Sequence, residues 1–177
     1  MANHQVVKIA IVGPESCGKS TLAQYLASRL NAQYVPEMAR SYFAQHPHTN
    51  YSIDDVIAIA KLQYDTEHSM SAQHPLLICD TSPLVCRIWA EVRFGYCPAE
   101  ITTLEMQSQY THTLLCAPDI PWQADPLRES PHNREQLFTR YAHYLHLNAE
   151  PYHIIKGNGS ARLDSALSIL KSQGISI

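Results

Sequence analysis

The chain has no apolar run approaching the ~20 residues needed to cross a bilayer, and no C-x-x-C pair among its five cysteines, Cys17, Cys79, Cys86, Cys97 and Cys116. The first absence argues against a membrane-spanning helix. The second, with the odd count, argues against a disulfide framework or a zinc knuckle, so most of the thiols read as small buried apolar groups. Basic residues do not cluster: 13 Lys and Arg stand against 16 Asp and Glu, for a net charge of −3. That balance does not suit a nucleic-acid groove. The opening residues MANHQVV form neither a secretory leader nor an Arg-rich transit peptide, so the expected location is cytoplasmic. Ten histidines bring no metal-ligand pattern. His46 and His48 flank a proline, and His143 and His146 fall on a polar helical face without cysteine or carboxylate companions. No repeat or low-complexity tract interrupts the 177 residues, which suit a single domain over 1–177.

What the sequence does contain is Gly13-Pro14-Glu15-Ser16-Cys17-Gly18-Lys19-Ser20, a G-x-x-x-x-G-K-[ST] phosphate loop. Its context agrees with the pattern. Val6, Val7, Ile9, Ile11 and Val12 make a β-branched run suited to a strand covered on both faces, and Thr21 to Leu30 has helical spacing without proline or glycine. Loop amides and the amides of a helix N-terminus then form a concave site of positive potential for phosphate. Gly13 and Gly18 permit close approach, Lys19 brings a charge to the β and γ phosphates, and Ser20 offers its hydroxyl to Mg²⁺. ATP and Mg²⁺ are the implied donor and cofactor, held by residues 13–21 from Gly13 through Thr21. Cys17, beside Lys19 at a helix N-terminus, is expected to have thiolate character and mild oxidant sensitivity.

Further apolar runs at Gln33–Val35, Leu76–Cys79, Thr113–Cys116 and Tyr152–Ile155 predict four more strands. Helices are expected at 19–30, 37–45, 52–72, 83–94, 99–110, 131–147 and 160–172, with Ser52 capping one and Pro98 opening another. The alternation predicts an α/β P-loop NTPase fold, a parallel five-stranded sheet with helices on both faces and ligands at the carboxyl ends of the strands. The segment from Ala117 to Asn133 holds four prolines, Trp122, Asp125, Arg128 and Glu129. It reads as a mobile lid at approximately 118–133.

Three groups of residues carry the candidate chemistry. Asp80, at the end of the third strand, is placed like an acid that holds Mg²⁺ or its waters, with a helix cap as its competing role. Glu37, at the end of the second strand, is placed to take a proton from an attacking hydroxyl; alternatively it forms a surface ion pair with Arg40. Arg128 or Arg134 can stabilise charge on a transferring phosphoryl group, although Arg134 also suits the solvent face of the next helix. A turn at Lys156–Ser160 has the look of a base-binding loop.

Taken together, the motifs resemble the ribosylnicotinamide kinase domain of the bacterial NadR family. The matching residues are Gly13 to Ser20 with Glu15 and Ser16 inside the loop, Glu37-x-x-Arg40, Gln63-Tyr64, Asp80-Thr81, Pro121-Trp122 and Asp125-x-Leu127-Arg128. The resemblance implies ATP-dependent phosphorylation of the 5′-hydroxyl of nicotinamide riboside, a small-molecule substrate. It implies ATP held by the phosphate loop and Arg128, Asp80 serving Mg²⁺ or the reacting hydroxyl, and Glu37, Arg40, Gln63 and Tyr64 lining the nucleoside. Two positions depart from the family pattern: Pro36 stands where an aromatic is expected, and Ser82 where a second Asp is expected. Tyr42, Tyr64 or Trp89 can supply an aromatic face instead, or belong to the core. The adenylyltransferase chemistry of the longer family members uses an H-x-G-H-type element, and no Gly-His dipeptide occurs here. Other acceptors, either a different nucleoside or a nucleotide, remain open, as does a regulatory ATPase switch. The N-K-x-D element usual in switch GTPases is absent from the sequence.

Overall fold

The computed structural model describes residues 6–47 and 50–175. The opening residues 1–5 and His48 therefore lie outside the described residues. Five strands, β1 (Val7–Val12), β2 (Gln33–Val35), β3 (Leu76–Asp80), β4 (His112–Cys116) and β5 (Tyr152–Ile155), pair in the order β2-β3-β1-β4-β5. Every pairing is parallel. The helices are α1 (Lys19–Arg29), α2 (Met38–Gln45), α3 (Ile53–Ser71), α4 (Pro83–Phe94), α5 (Ala99–Gln107), α6 (Arg134–Leu147) and α7 (Gly159–Ser172).

Strand parity decides which residues meet which helices. Ile9 and Ile11 of β1 join Ile78, Leu114 and Ile155 in a core closed by Leu22 and Leu26 of α1 and Leu167 and Leu170 of α7. The intervening Ala10 and Val12 face the other way, onto Leu84 and Ile88 of α4 and Leu137, Tyr141 and Leu145 of α6. A third cluster packs Val56, Ile59 and Ala60 of α3 against Cys86 and Ala90 of α4 and Ile101 of α5. The strands read as continuous apolar runs because both faces of the sheet are covered.

Local signals set the helix boundaries. Ser52 caps α3, and its amide donates to Asp55 Oδ2 at 2.7 Å, which closes a capping box that contributes about 1 kcal/mol. Pro83 opens α4, and Gly95 closes it at φ 83°. Two expected helices are three residues shorter in the structure, whereas the other bounds differ by one residue or less at each end. Helix α5 ends at Gln107, with Ser108 bonded back to Leu104 and Glu105, and α6 begins at Arg134 rather than 131. The Pro131-to-Asn133 stretch belongs to the preceding segment instead.

Candidate active site

Beyond the carboxyl ends of β1 and β2 lies a cleft of about 1270 Å³. Single small-ligand pockets span about 300–1,000 Å³, so this cleft has room for a donor and an acceptor. The phosphate loop forms one end. Gly13, at φ 139°, passes so near β4 that a Cβ would lie 2.6 Å from the Cys116 carbonyl oxygen, and only glycine fits. Gly18, in the left-handed region at φ 79°, starts α1. The amides of the first turn of α1 therefore face the cleft without intrahelical partners. Lys19 Nζ donates to the carbonyls of Gly13 at 3.0 Å and Pro14 at 2.8 Å. Burial opposes its charge, but Cys17, Glu37 and Asp80 outweigh it and hold the ammonium above its usual range. Thr21 also lines the cleft, while Pro14, Glu15, Ser16, Cys17 and Ser20 complete the loop wall.

Asp80 ends β3 on the parity of Ile78, the face toward α1, and shares a smaller cavity of about 290 Å³ with Ser20, Glu37 and Arg40. Its side chain is 1% exposed. Oδ2 accepts from Tyr34 OH at 3.0 Å, and Oδ1 is buried with no hydrogen-bond partner among the described residues. An orphaned carboxylate oxygen beside a phosphate-loop serine is the donor set that Mg²⁺ favours, so these residues fit the ion.

Glu37 follows β2 and precedes α2. Burial raises its carboxyl above the usual range, against the lowering effect of Lys19, and Asp80 adds to the rise. A carboxyl held above its ordinary range is a stronger base than a solvated one and is suited to accept a proton. Arg40 pairs with Glu37 (Nε to Oε2, 3.3 Å) and reaches Asp125 Oδ2 at 3.1 Å. It is thus more than a solvent-facing i,i+3 partner, because it also ties α2 to the segment after β4.

That segment, 117–133, contains no helix or strand and folds over the phosphate loop. Glu15 accepts from the amides of Glu129 (3.0 and 3.1 Å) and Ser130 (2.7 Å), and Ser16 Oγ accepts from the Gln123 amide at 2.8 Å. Arg128 lines the cleft, with Nη1 donating to the Gln123 carbonyl and to Ser16 Oγ at 3.4 Å. Arg134 does not point to solvent: Nη1 bridges the carbonyls of Ser16 (3.2 Å) and Ile120 (2.9 Å), and its guanidinium lies 5.9 Å from the Trp122 ring. It clamps the loop from outside rather than lining the cleft.

The end of the cleft away from the phosphate loop is aromatic. Phe43, Tyr51 and Trp89 contribute to its wall, with Tyr51 and Trp89 rings 5.1 Å apart, edge to face. Trp89 Nε1 donates to Tyr51 OH at 2.8 Å, and that hydroxyl donates to Glu129 Oε2 at 2.7 Å. Burial and the bond to Glu129 push Tyr51 up to about 12, so it stays a donor. Arg93 lies 5.6 Å from the Tyr51 ring and makes no hydrogen bond or ion pair among the described residues.

Two residues expected on the nucleoside side do not line the cleft. Gln63 is 2% exposed, because its position on α3 faces the sheet and its amide bonds Met38 and Glu67. Tyr64, one residue on, is turned away by the 100° helical step and stacks on His68 with centroids 6.1 Å apart. Tyr42 donates to Asp55 Oδ1 at 2.8 Å instead of facing the cleft, whereas Trp89 does face it. Cys17 is fully buried. Burial raises its thiol, but a hydrogen bond with Cys116 and the charges of Lys19 and Arg162 lower it to about 7. The surrounding charges thus favour the thiolate, but solvent access is lacking. The turn after β5 does not line the cleft; Gly157 N donates to Asp119 Oδ2 at 2.6 Å.

Sequence reading missed Tyr34, the aromatic pair Phe43 and Tyr51, and Arg162. The last is 4% exposed and binds the carbonyls of Cys17 (2.8 Å), Ala117 (3.1 Å) and Gly157 (2.8 Å) and the Asp119 carboxylate (2.7 Å). Nothing in the local pattern of α7 marks that arginine as buried.

Among solved structures, NadR protein in complex with NAD and AMP-PNP matches with a TM-score of 0.76 at 21% identity, covering 94% of this chain and 49% of that one. The chain thus spans about half the length of that protein. Deoxyadenosine kinase from M. mycoides, with dCMP and dCDP bound, matches at 0.69 and 14% identity, covering 94% of this chain and 100% of that one. Thymidylate kinase from Ehrlichia chaffeensis matches at 0.68 and 12%, covering 94% and 99%. No curated protein matches the sequence. At these identities the likeness establishes the nucleoside and nucleotide kinase fold. A match to the AAA domain family AAA_28 runs over residues 8–162, from β1 to the buried Arg162, and the chain belongs to that family.

Proposed function

We propose that the protein is an ATP-dependent kinase that phosphorylates the 5′-hydroxyl of nicotinamide riboside to give nicotinamide mononucleotide. The observation that carries this reading is the placement of Glu37 between Lys19 and Asp80 on one side and an aromatic-walled cleft on the other. A nucleoside whose ring lies against Phe43, Tyr51 and Trp89 brings its ribose toward the Glu37 carboxylate. Flat aromatic faces suit a cationic pyridinium ring. The structural likeness to NadR protein in complex with NR supports the same acceptor.

In this mechanism the phosphate-loop amides and Lys19 hold the triphosphate, and Arg128 meets the charge that spreads over the transferring group. Glu37 accepts the proton of the attacking hydroxyl, and its raised carboxyl matches that task. Ser20 and Asp80 are the residues that would hold Mg²⁺, which when bound neutralises charge on the β and γ oxygens. Positioning of the two substrates, with the 117–133 segment closed over them, supplies the remaining acceleration.

A second reading, in which the acceptor carries an anionic group as a nucleoside monophosphate does, is favoured by Arg93, which stands at the cleft rim without an ion-pair partner among the described residues. Measuring ADP release from Mg·ATP across nucleosides and nucleoside monophosphates separates the two. Stimulation by nicotinamide riboside alone supports the first reading, and stimulation by a monophosphate or another nucleoside replaces it. Tight ATP binding without acceptor-dependent turnover indicates a nucleotide switch.

A further inference from the structure

The first amides of a helix have no intrahelical acceptor; a capping side chain serves the second or third of them, and the first needs a partner from elsewhere. At the start of α2 the capping position is Glu37, and its side chain makes no capping bond. The Met38 amide instead donates to Gln63 Oε1 on α3 at 3.1 Å. The Glu37 carboxylate makes no capping bond and lines the cleft, while Gln63 fixes the backbone that immediately follows it.

The same Gln63 oxygen also meets the end of β3. Thr81, immediately after Asp80, has φ 87°. That is a strained conformation for a β-branched residue, and it persists only where the surroundings enforce it. Thr81 N donates to the Ile11 carbonyl at 3.0 Å, which holds it against β1, and Thr81 Oγ1 approaches Gln63 Oε1 at 3.5 Å, a longer contact. One side-chain oxygen thus touches the residue after each of the two carboxylates that flank the phosphate loop.

The orientation of that amide is not free. Gln63 Nε2 donates to Glu67 Oε1 at 3.0 Å, and an ionised carboxylate can only accept, so the Gln63 carbonyl must face Met38 and Thr81. Glu67 is fully buried. It is held by Lys8 Nζ at 2.9 Å and by Tyr110 OH at 2.9 and 3.1 Å, as a buried charge must be.

We propose that Gln63 is a positioning residue, locked by Glu67, that fixes Glu37 relative to Asp80 by holding the Met38 amide and Thr81 on one carbonyl oxygen. The proposal rests on the kinase reading for its catalytic consequence but not for its geometry. Gln63→Met keeps the length and removes the hydrogen bonds. It is expected to lower kcat by about 10²-fold, as a misplaced base does, while the KM for ATP stays within about twofold. Amide hydrogen exchange at Met38 should accelerate by about tenfold or more as its acceptor is lost, with the α1 amides unchanged. Glu67→Gln, which is isosteric, frees the Gln63 amide to flip and should move kcat and Met38 exchange in the same direction by less. Tyr110→Phe removes a bond to Glu67 without touching Gln63, so it should lower Tm and leave kcat unchanged. If Gln63→Met does not fold, Glu67→Gln carries the test. Unaltered Met38 exchange, or a kcat within about twofold of wild type on folded variant, overturns the proposal. If wild type turns over no acceptor, the kinase reading fails, and Met38 exchange still decides whether Gln63 holds α2.

Discussion

In the donor half of the cleft, one uninterrupted stretch, residues 13–21, supplies the wall, and its shape follows from a strand, two glycines with positive φ and a helix N-terminus. The acceptor half is drawn from α2, α4, the residues before α3 and the 117–133 segment. Its contacts join residues far apart in sequence: Trp89 to Tyr51 spans 38 positions, Tyr51 to Glu129 spans 78 and Arg40 to Asp125 spans 85. The contiguous loop takes its shape from local backbone geometry, and distant residues such as Arg134 and Arg162 brace it from outside. A wall assembled from separate elements is only as well placed as the bonds between them, and so on the proposed reading it is the half in which specificity can change.

The comparison predicts that substitutions in the two halves separate kinetically. Lys19→Ala, in the donor half, should lower kcat/KM by about 10³-fold with every acceptor, since the phosphates lose their fixed charge; ADP-release assays check this, and a loss confined to one acceptor would contradict it. Glu37→Gln, at the junction of the halves, should lower kcat by about 10²-fold and leave the KM for ATP unchanged. The base must be deprotonated to work, and its carboxyl is raised by burial. Wild-type kcat/KM should therefore fall as pH drops through a value above the ordinary carboxylate range, and this limb should vanish in Glu37→Gln. A normal kcat with a raised nucleoside KM would reassign Glu37 to binding and make Asp80 the candidate base.

Trp89→Ala, in the acceptor half, should raise the nucleoside KM by about tenfold, the order of one lost base-stacking contact, with the KM for ATP unchanged; a change in both would show that the halves are not independent. Glu15→Ala breaks the contacts between the loop and the 117–133 segment. It should lower kcat/KM by several-fold to about tenfold, in line with charge-assisted hydrogen bonds, and should speed proteolysis within 117–133. The smallest effect is expected at Cys17: it is fully buried, so a thiol alkylator should leave native activity intact with or without ATP while labelling the unfolded chain.

Much of the frame was legible because it rests on short-range periodicity and capping. The apolar runs at 76–79 and 152–155, the cap at Ser52 and the proline at 83 each act within a few residues, and the strands and helices lie where those signals put them. Local pattern says less where burial decides. Gln63 and Tyr64 were expected on the nucleoside side as neighbours in one motif, yet adjacent residues on a helix point about 100° apart, and Gln63 faces the buried Glu67 while Tyr64 faces His68. Arg162 reads as an ordinary helical arginine, but α7 packs it under the phosphate loop.

The sequence by itself determined the phosphate loop, the parallel sheet and the two carboxylates at adjacent strand ends, because a strand, a turn and a helix N-terminus are local structures that nearby residues specify. Only the tertiary structure decided that Asp80 keeps an unpartnered buried oxygen, that Arg134 clamps the loop, that Gln63 bridges α2 and β3, and that Phe43, Tyr51 and Trp89 share one wall. Those outcomes depend on which distant elements become neighbours when the apolar faces of the sheet are buried, and that choice is made by the packing of the whole chain.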